Sequence, residues 1–313
     1  MHGLELSKSY YEEFGKPMLE SEFPDLLPFL AVGLFGQGSE CFGYDDALSR
    51  DHDFEPGFCL YLPGEDVVDR RTAFLLERAY AKLPREYNGV SREYLAPVGG
   101  ARRGVLRTGE VFSSLVGAAD GVLSAEQWLA VPEQGLAEAT NGLVYFDGYG
   151  EVTAIRKRLA YFPEDVRLKK LAGNLLLMAQ SGQYNYSRCI GHGERAAAQL
   201  AVFDYVESFM SAAFLLNRKY QPYYKWRFRA FRELPVLGEQ AGVLEELITT
   251  GNDTETAERK RNILEETAAI LIAALKESRL SSKESRELEA YAYEINDRIR
   301  DGNLRNLHIL AAV

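Results

Sequence analysis

Cysteine is scarce in this chain: Cys41, Cys59 and Cys189 are odd in number, widely separated and form no CxxC pair. That excludes a disulfide framework and a cysteine-type zinc site, and it points to a reducing cytoplasm. Long apolar runs are missing as well, since no stretch approaches the ~20 apolar residues of a membrane span. The N-terminal segment carries Glu5, Glu12 and Glu13 where a secretory leader would be apolar, so neither a signal peptide nor a membrane anchor is expected. Positive charge is in deficit, with 36 Lys and Arg against 46 Asp and Glu and a formal charge of −10. Such a surface has no general attraction for nucleic acid or anionic lipid, so a phosphate-bearing ligand must be held by local basic groups or by metal.

What is present is a 313-residue chain with a hydrophobic fraction of 46%, enough for one large core or two modest domains. Residues 7–30 read as helical pieces broken near Gly15–Pro17 and at Pro24, followed by a buried strand over 29–35. A second strand is expected over 58–62, stopped by Pro63-Gly64, and a helix from Asp66 to Leu83 stopped by Pro84. Residues 102–116 read as a strand leading into a helix behind the basic pair Arg102-Arg103. Ser124-Ala-Glu-Gln127 matches a capping box, and a further helix runs from Pro132 to Thr140 and stops at Asn141-Gly142. Leu143–Phe146 and Gly150–Ile155 read as a hairpin turning at Asp147-Gly148. From Pro163 onward the periodicity is helical, over 166–180, 194–220, 243–249, 255–277 and 283–299. The pattern predicts an α+β fold: a sheet domain over 1–160 and an all-α helical bundle over 161–313.

Residues 34–54, LFGQGSECFGYDDALSRDHDF, crowd glycines and carboxylates behind an apolar lead-in. Gly38 permits close backbone approach to a ligand, and Ser39 supplies a hydroxyl and an N–H. After eleven intervening residues comes Asp51-His-Asp53. Residues two apart on a strand share a face, so both carboxylates can aim at one point, where a hard divalent cation relieves their repulsion. His52 then faces away as a packing residue, and Asp45 and Asp46 stay in the loop.

An apolar strand, Gly-Ser, a short spacer and Asp-x-Asp leading into a strand resembles the signature of the polymerase-β-like nucleotidyltransferase superfamily, which includes the aminoglycoside and lincosamide nucleotidyltransferases. The resemblance implies a nucleotidyltransferase-like mixed sheet with flanking helices. By position, Gly38 and Ser39 would hold the triphosphate, and Asp51 and Asp53 would bind two Mg²⁺ ions, with Mn²⁺ as a substitute. A third carboxylate is expected from Asp147, with Glu110 as the other candidate. Asp147-Gly-Tyr-Gly150, Arg156 through Pro163, Gln183–Arg188 and Asn217–Trp226 resemble a function-unassigned bacterial family that joins such a domain to a helical C-terminal one. By analogy with the antibiotic-modifying relatives, Arg188 and Lys225 would contact the triphosphate, with Arg218 or Lys219 in reserve. Glu207, Asp204 and Glu194 are the candidates for a general base. Tyr184 and Tyr186 are read as core or seam residues.

The activity this implies is Mg²⁺-dependent transfer of a nucleoside monophosphate from a nucleoside triphosphate, ATP being the expected donor, to a hydroxyl of a small molecule or protein. The alternative is a catalytically inactive nucleotide-binding regulator or antitoxin-like protein. A third reading is an interaction protein whose acidic helical tail docks a partner.

Overall fold

Apolar residues fill 30–35 and 58–62 so continuously that both runs pair as buried strands in the computed structural model, which describes residues 1–46, 55–92 and 103–313. The chain divides into two units, Met1–Leu123 with Val131–Ala160, and Ser124–Ala130 with Tyr161–Val313. The first is a mixed sheet with helices on both faces and the second is all helix, an α+β architecture.

In chain order the first unit runs α1 (Gly3–Tyr10), α2 (Lys16–Glu22), β1 (Ala31–Leu34), α3 (Ser39–Phe42), β2 (Cys59–Leu62), α4 (Arg70–Ala81), a small hairpin of β3 (Glu86–Tyr87) and β4 (Val90–Ser91), β5 (Gly104–Arg107) and α5 (Thr108–Val116). After α6 (Ala125–Ala130), which folds with the second unit, come α7 (Glu133–Thr140), β6 (Leu143–Asp147) and α8 (Glu151–Arg158). The sheet order is β5-β2-β1-β6, with β1 antiparallel to both neighbours and β2 parallel to β5. Alternation divides the strands between two cores. Val32, Leu60 and Leu62 pack with Phe58 against Tyr10, Leu19, Leu76 and Tyr80 from the helices on one face. Tyr61 points to the other, where it stacks on Phe35 at 4.6 Å while Phe35 meets Phe112 at 5.7 Å. A fully buried Phe such as Phe58 contributes about 2–3 kcal/mol by leaving water.

Two expectations are corrected here. Gly15 does not break the N-terminal helix: a π-turn over Tyr11–Gly15 joins α1 to α2, and Pro17 sits in the first turn of α2, where its missing N–H costs nothing. The glycine serves close approach, because a Cβ there would lie 2.3 Å from the Phe58 ring. The second change is at residues 150–155, which are not a returning strand. Gly150 caps α8, whose Val152 and Ile155, with Leu159 at its C-cap, are buried at helical spacing.

The expected capping box forms, with the Gln127 N–H donating to Ser124 Oγ (3.2 Å) and the Ser124 N–H to Gln127 Oε1 (2.8 Å). The second unit continues through α9 (Glu164–Met178), α10 (Tyr186–Gly191), α11 (Arg195–Leu216), α12 (Tyr224–Arg232), α13 (Ala241–Thr249), α14 (Thr254–Glu277), α15 (Leu288–Asp297) and α16 (Gly302–Asn306). Helix α9 packs between α11 and α15. Tyr205 of α11 donates to the Leu264 carbonyl of α14 at 2.9 Å. Among the described residues α11 is the helix long and apolar enough to cross a membrane, but 61% of its most apolar window is buried inside the fold, as in a core helix. Lys169 is fully buried on α9, and its Nζ donates to Asn296 Oδ1 (2.9 Å) and the Leu307 carbonyl (2.7 Å), fastening the end of α16.

Candidate functional site

Strand β1 hands the chain to a tight turn at one edge of the sheet. Gly36 and Gly38 adopt φ of +113° and +118°, a region that L side chains rarely enter, and Ser39 opens α3. Strand β2 enters at this same edge, with Cys59 opposite Gly33, and so does β5, with Gly104 opposite Cys59. Asp51, His52 and Asp53 lie outside the described residues. The described chain resumes at Glu55, four residues before β2, on the edge where Gly38-Ser39 leaves β1.

Glu40 folds its carboxylate back over Gly38, so closely that a Cβ at Gly38 would fall 2.5 Å from Glu40 Oε2. Its other oxygen accepts from Arg103 Nη2 at 3.2 Å, and Arg103 also donates to the Glu55 carbonyl. Both charged side chains are nearly buried. Arg103 thereby ties the segment entering β2 to the helix that follows the Gly-Ser turn. Cys41 belongs to the same helix, and burial together with the Glu40 charge pushes its thiol well above its ordinary range. Burial raises Cys59 to about 11. Neither thiol is therefore poised as a nucleophile.

The turn is also braced from β6. The Gly36 N–H donates to Asn141 Oδ1 and Asn141 Nδ2 donates back to the Gly36 carbonyl, both at 2.8 Å. The Gly142 N–H donates to the Cys41 carbonyl at 2.9 Å. Behind them, Arg156 Nη2 donates to the carbonyls of Thr140 (2.9 Å) and Asn141 (2.7 Å), and its guanidinium carbon sits 4.8 Å from the centre of the Phe35 ring.

Asp147 stands at the opposite edge of the sheet. Its register partner is Ala31, the first residue of β1, whereas Gly38 follows the last. One carboxylate oxygen accepts the Gly150 N–H (2.7 Å) and the other the Thr153 N–H (2.8 Å), so both serve the start of α8. Glu110 lies in the first turn of α5 beyond the end of β5, which runs parallel to β2 and so ends at Asp147's edge too. The structure thus brings neither carboxylate beside Gly38-Ser39. Glu151 is nearby, and burial, aided by the Asp147 and Asp66 charges, raises its carboxyl above the usual range. A hollow of about 490 Å³ opens at this far edge, between Phe23 and Phe29 on one side and Glu65, Asp66 and Asp69 on the other. Among the described residues no three His, Cys, Asp or Glu side chains converge as a metal site.

Arg188 and Lys225 belong to the second unit and are exposed there. Arg188 donates to Tyr184 Oη at 3.1 Å and lies over that ring, and Lys225 lies over Trp226. Of the reserves, Arg218 pairs with Glu164 at 2.7 Å and Lys219 is exposed. Glu207 pairs with Arg227 at 2.6 Å, while Asp204 and Glu194 are exposed. Tyr186 is fully buried and Tyr184 exposed.

Residues 128–227 match a domain of unknown function (DUF4037). The matched stretch carries Asn141, Asp147, Arg156, Arg188 and Lys225, but not Gly38 or Ser39. No curated protein and no solved structure matches the chain.

Sequence reasoning passed over Glu40, Arg103, Asn141 and Arg156 as parts of this edge. Two left a visible signal: Glu40 adjoins Gly38-Ser39, and Arg103 belongs to a basic pair heading β5. Asn141 reads only as a helix terminator and Arg156 only as the start of a family-like segment, because their partners lie far away in sequence.

Proposed function

We propose that this protein is a divalent-metal-dependent nucleotidyltransferase with a nucleotidyltransferase-like sheet domain, moving a nucleoside monophosphate from a nucleoside triphosphate to a hydroxyl. The observation that carries the reading is the sheet edge at which β1 delivers the Gly36–Ser39 turn and the chain from Glu55, which follows Asp51-x-Asp53 in sequence, enters antiparallel β2. Gly38 and Ser39 are assigned to the triphosphate, and Asp51 and Asp53 to the metal. Paired carboxylates are hard oxygen donors of the kind Mg²⁺ prefers, and two such ions ~3.5–4 Å apart would steady the attacking and leaving oxygens of an in-line displacement. Arg188 and Lys225 remain candidates for triphosphate contacts. Asp147 is engaged at the far edge, so the metal assignment rests on Asp51 and Asp53.

Labelled nucleoside triphosphates with Mg²⁺ or Mn²⁺, followed by pyrophosphate release and self-labelling, test turnover without knowledge of the acceptor. Mg²⁺-dependent nucleotide binding by the native chain is expected to be lost in Asp51→Asn with Asp53→Asn. Binding of no nucleotide by the native chain, or an unaltered double variant, would sink the proposal.

A specific observation favours the second reading, a nucleotide-binding regulator without turnover. Neither of the expected third carboxylates, Asp147 or Glu110, stands at the Gly38-Ser39 edge. Metal-dependent binding with no pyrophosphate release would select it.

A further inference from the structure

The turn that leaves β1 contains two glycines at positive φ, so by itself it has many conformations to choose from. Two consecutive residues of the segment entering β6 remove that freedom. The Asn141 amide takes both the N–H and the C=O of Gly36, as a paired strand would, and the Gly142 N–H takes the Cys41 carbonyl at the far end. Arg156 then holds the segment that does the holding: one nitrogen bonds the carbonyls of Thr140 and Asn141 while the guanidinium plane covers Phe35, the residue immediately before Gly36. The one side chain therefore touches the turn's entry and its clamp. Burial lowers its affinity for the proton, yet an arginine stays charged, so it remains a donor throughout the ordinary pH range.

We propose that Asn141, itself held by Arg156, is a positioning residue that presets the Gly36–Ser39 turn for the phosphates of a nucleoside triphosphate. This deepens the nucleotidyltransferase reading and rests on it. Backbone N–H groups bind anions well only when they are already aimed, because ordering a loop at the moment of binding takes its cost out of the affinity. Asn141→Asp is the discriminating change. It keeps the acceptor for the Gly36 N–H and replaces the donor with a carboxylate oxygen facing the Gly36 carbonyl.

The test combines nucleotide titration and steady-state kinetics with amide hydrogen exchange, on the full-length chain with Mg²⁺ and ATP. Asn141→Asp and Arg156→Met are expected to raise the nucleotide Kd and KM about tenfold with kcat at saturation little changed, and Arg156→Lys to fall between them and the native chain. The Gly36 amide, though it keeps an acceptor, should exchange about tenfold faster in Asn141→Asp, because repulsion between the carboxylate and the Gly36 carbonyl promotes local opening. A residue that merely stabilises the fold would lower Tm and the active fraction at unchanged KM, and that result overturns the proposal, as does unchanged protection of Gly36. Should Arg156→Met not fold, Asn141→Asp and Arg156→Lys carry the test. A native chain that binds no nucleotide overturns the functional reading and the phosphate role with it. The exchange experiment still reports separately whether Asn141 sets the turn.

Discussion

Arg103 and Glu40 are charges taken out of water together, and such a pair costs most when it is halved. Arg103→Met leaves the Glu40 carboxylate nearly buried against Gly38 without its guanidinium, so urea unfolding should show a loss of about 3–5 kcal/mol. Adding Glu40→Leu should recover most of that loss, since a well-packed apolar pair restores neutrality. A double variant no more stable than Arg103→Met would show that packing rather than charge holds the site. The same pair explains part of what sequence reasoning could and could not see. Glu40 sits beside a motif that drew attention, whereas its partner is 63 residues away. No local spacing reports a contact at that separation.

At the scale of elements, α8 shows how one side chain decides between two readings. Asp147-Gly148 has the composition of a hairpin turn, and Val152, Ile155 and Leu159 suit a strand less well than a helix. The Asp147 carboxylate settles the matter by accepting the N–H groups of Gly150 and Thr153, which have no partner in the first turn of a helix. Asp147→Ala should therefore cost about 1 kcal/mol, as lost helix caps do, measurable by thermal or urea unfolding. It should leave Mg²⁺-dependent nucleotide binding within a few-fold of native. Loss of metal-dependent binding without loss of stability would instead make Asp147 a ligand. Most other elements were legible, because periodicity is local. The strands over 59–62 and 104–107, the helix over 70–81 and the capping box at Ser124 all follow from their own residues. Helices α10 and α12 fall outside the spans that helical periodicity marks, since their aromatic and basic residues break the apolar stripe.

For the molecule as a whole, buried ionisable groups set how stability varies with pH. Burial raises Tyr145 and Tyr186 to about 12, and Tyr80 and Tyr205 further. A raised folded value means that the folded chain keeps protons the unfolded chain releases. This stability is complete below roughly pH 10 and is lost as pH climbs from there toward 12. Lys169 and Lys260 act with the opposite sign below that point. Burial lowers both, so the unfolded chain binds protons the folded one does not, and stability gains as pH rises toward the unfolded lysine value. Unfolding followed across the alkaline range should show a lysine gain, opposed from about pH 9 by the raised Cys41 and Cys59 thiols, giving way to a steeper tyrosine loss above roughly pH 10. Lys169→Met should remove part of the gain while loosening α16, whose terminal carbonyl at Leu307 loses its donor. A profile in Lys169→Met parallel to the native one throughout would show that this lysine is not the titrating group.

By itself the sequence determined the α+β character, the places of β1, β2 and β5, the helical second half and the spacing of Gly38-Ser39 to Asp51 and Asp53. These depend on periodicity, turn chemistry and short separations, which neighbouring residues settle among themselves. Only the tertiary structure decided that Asp147 caps a helix at the far edge, that Glu40 and Arg103 pair beside Gly38, and that Asn141 and Arg156 brace the turn. Strand register and the burial of a charge are settled by which distant segments the core brings together, and no pattern within one segment encodes that choice.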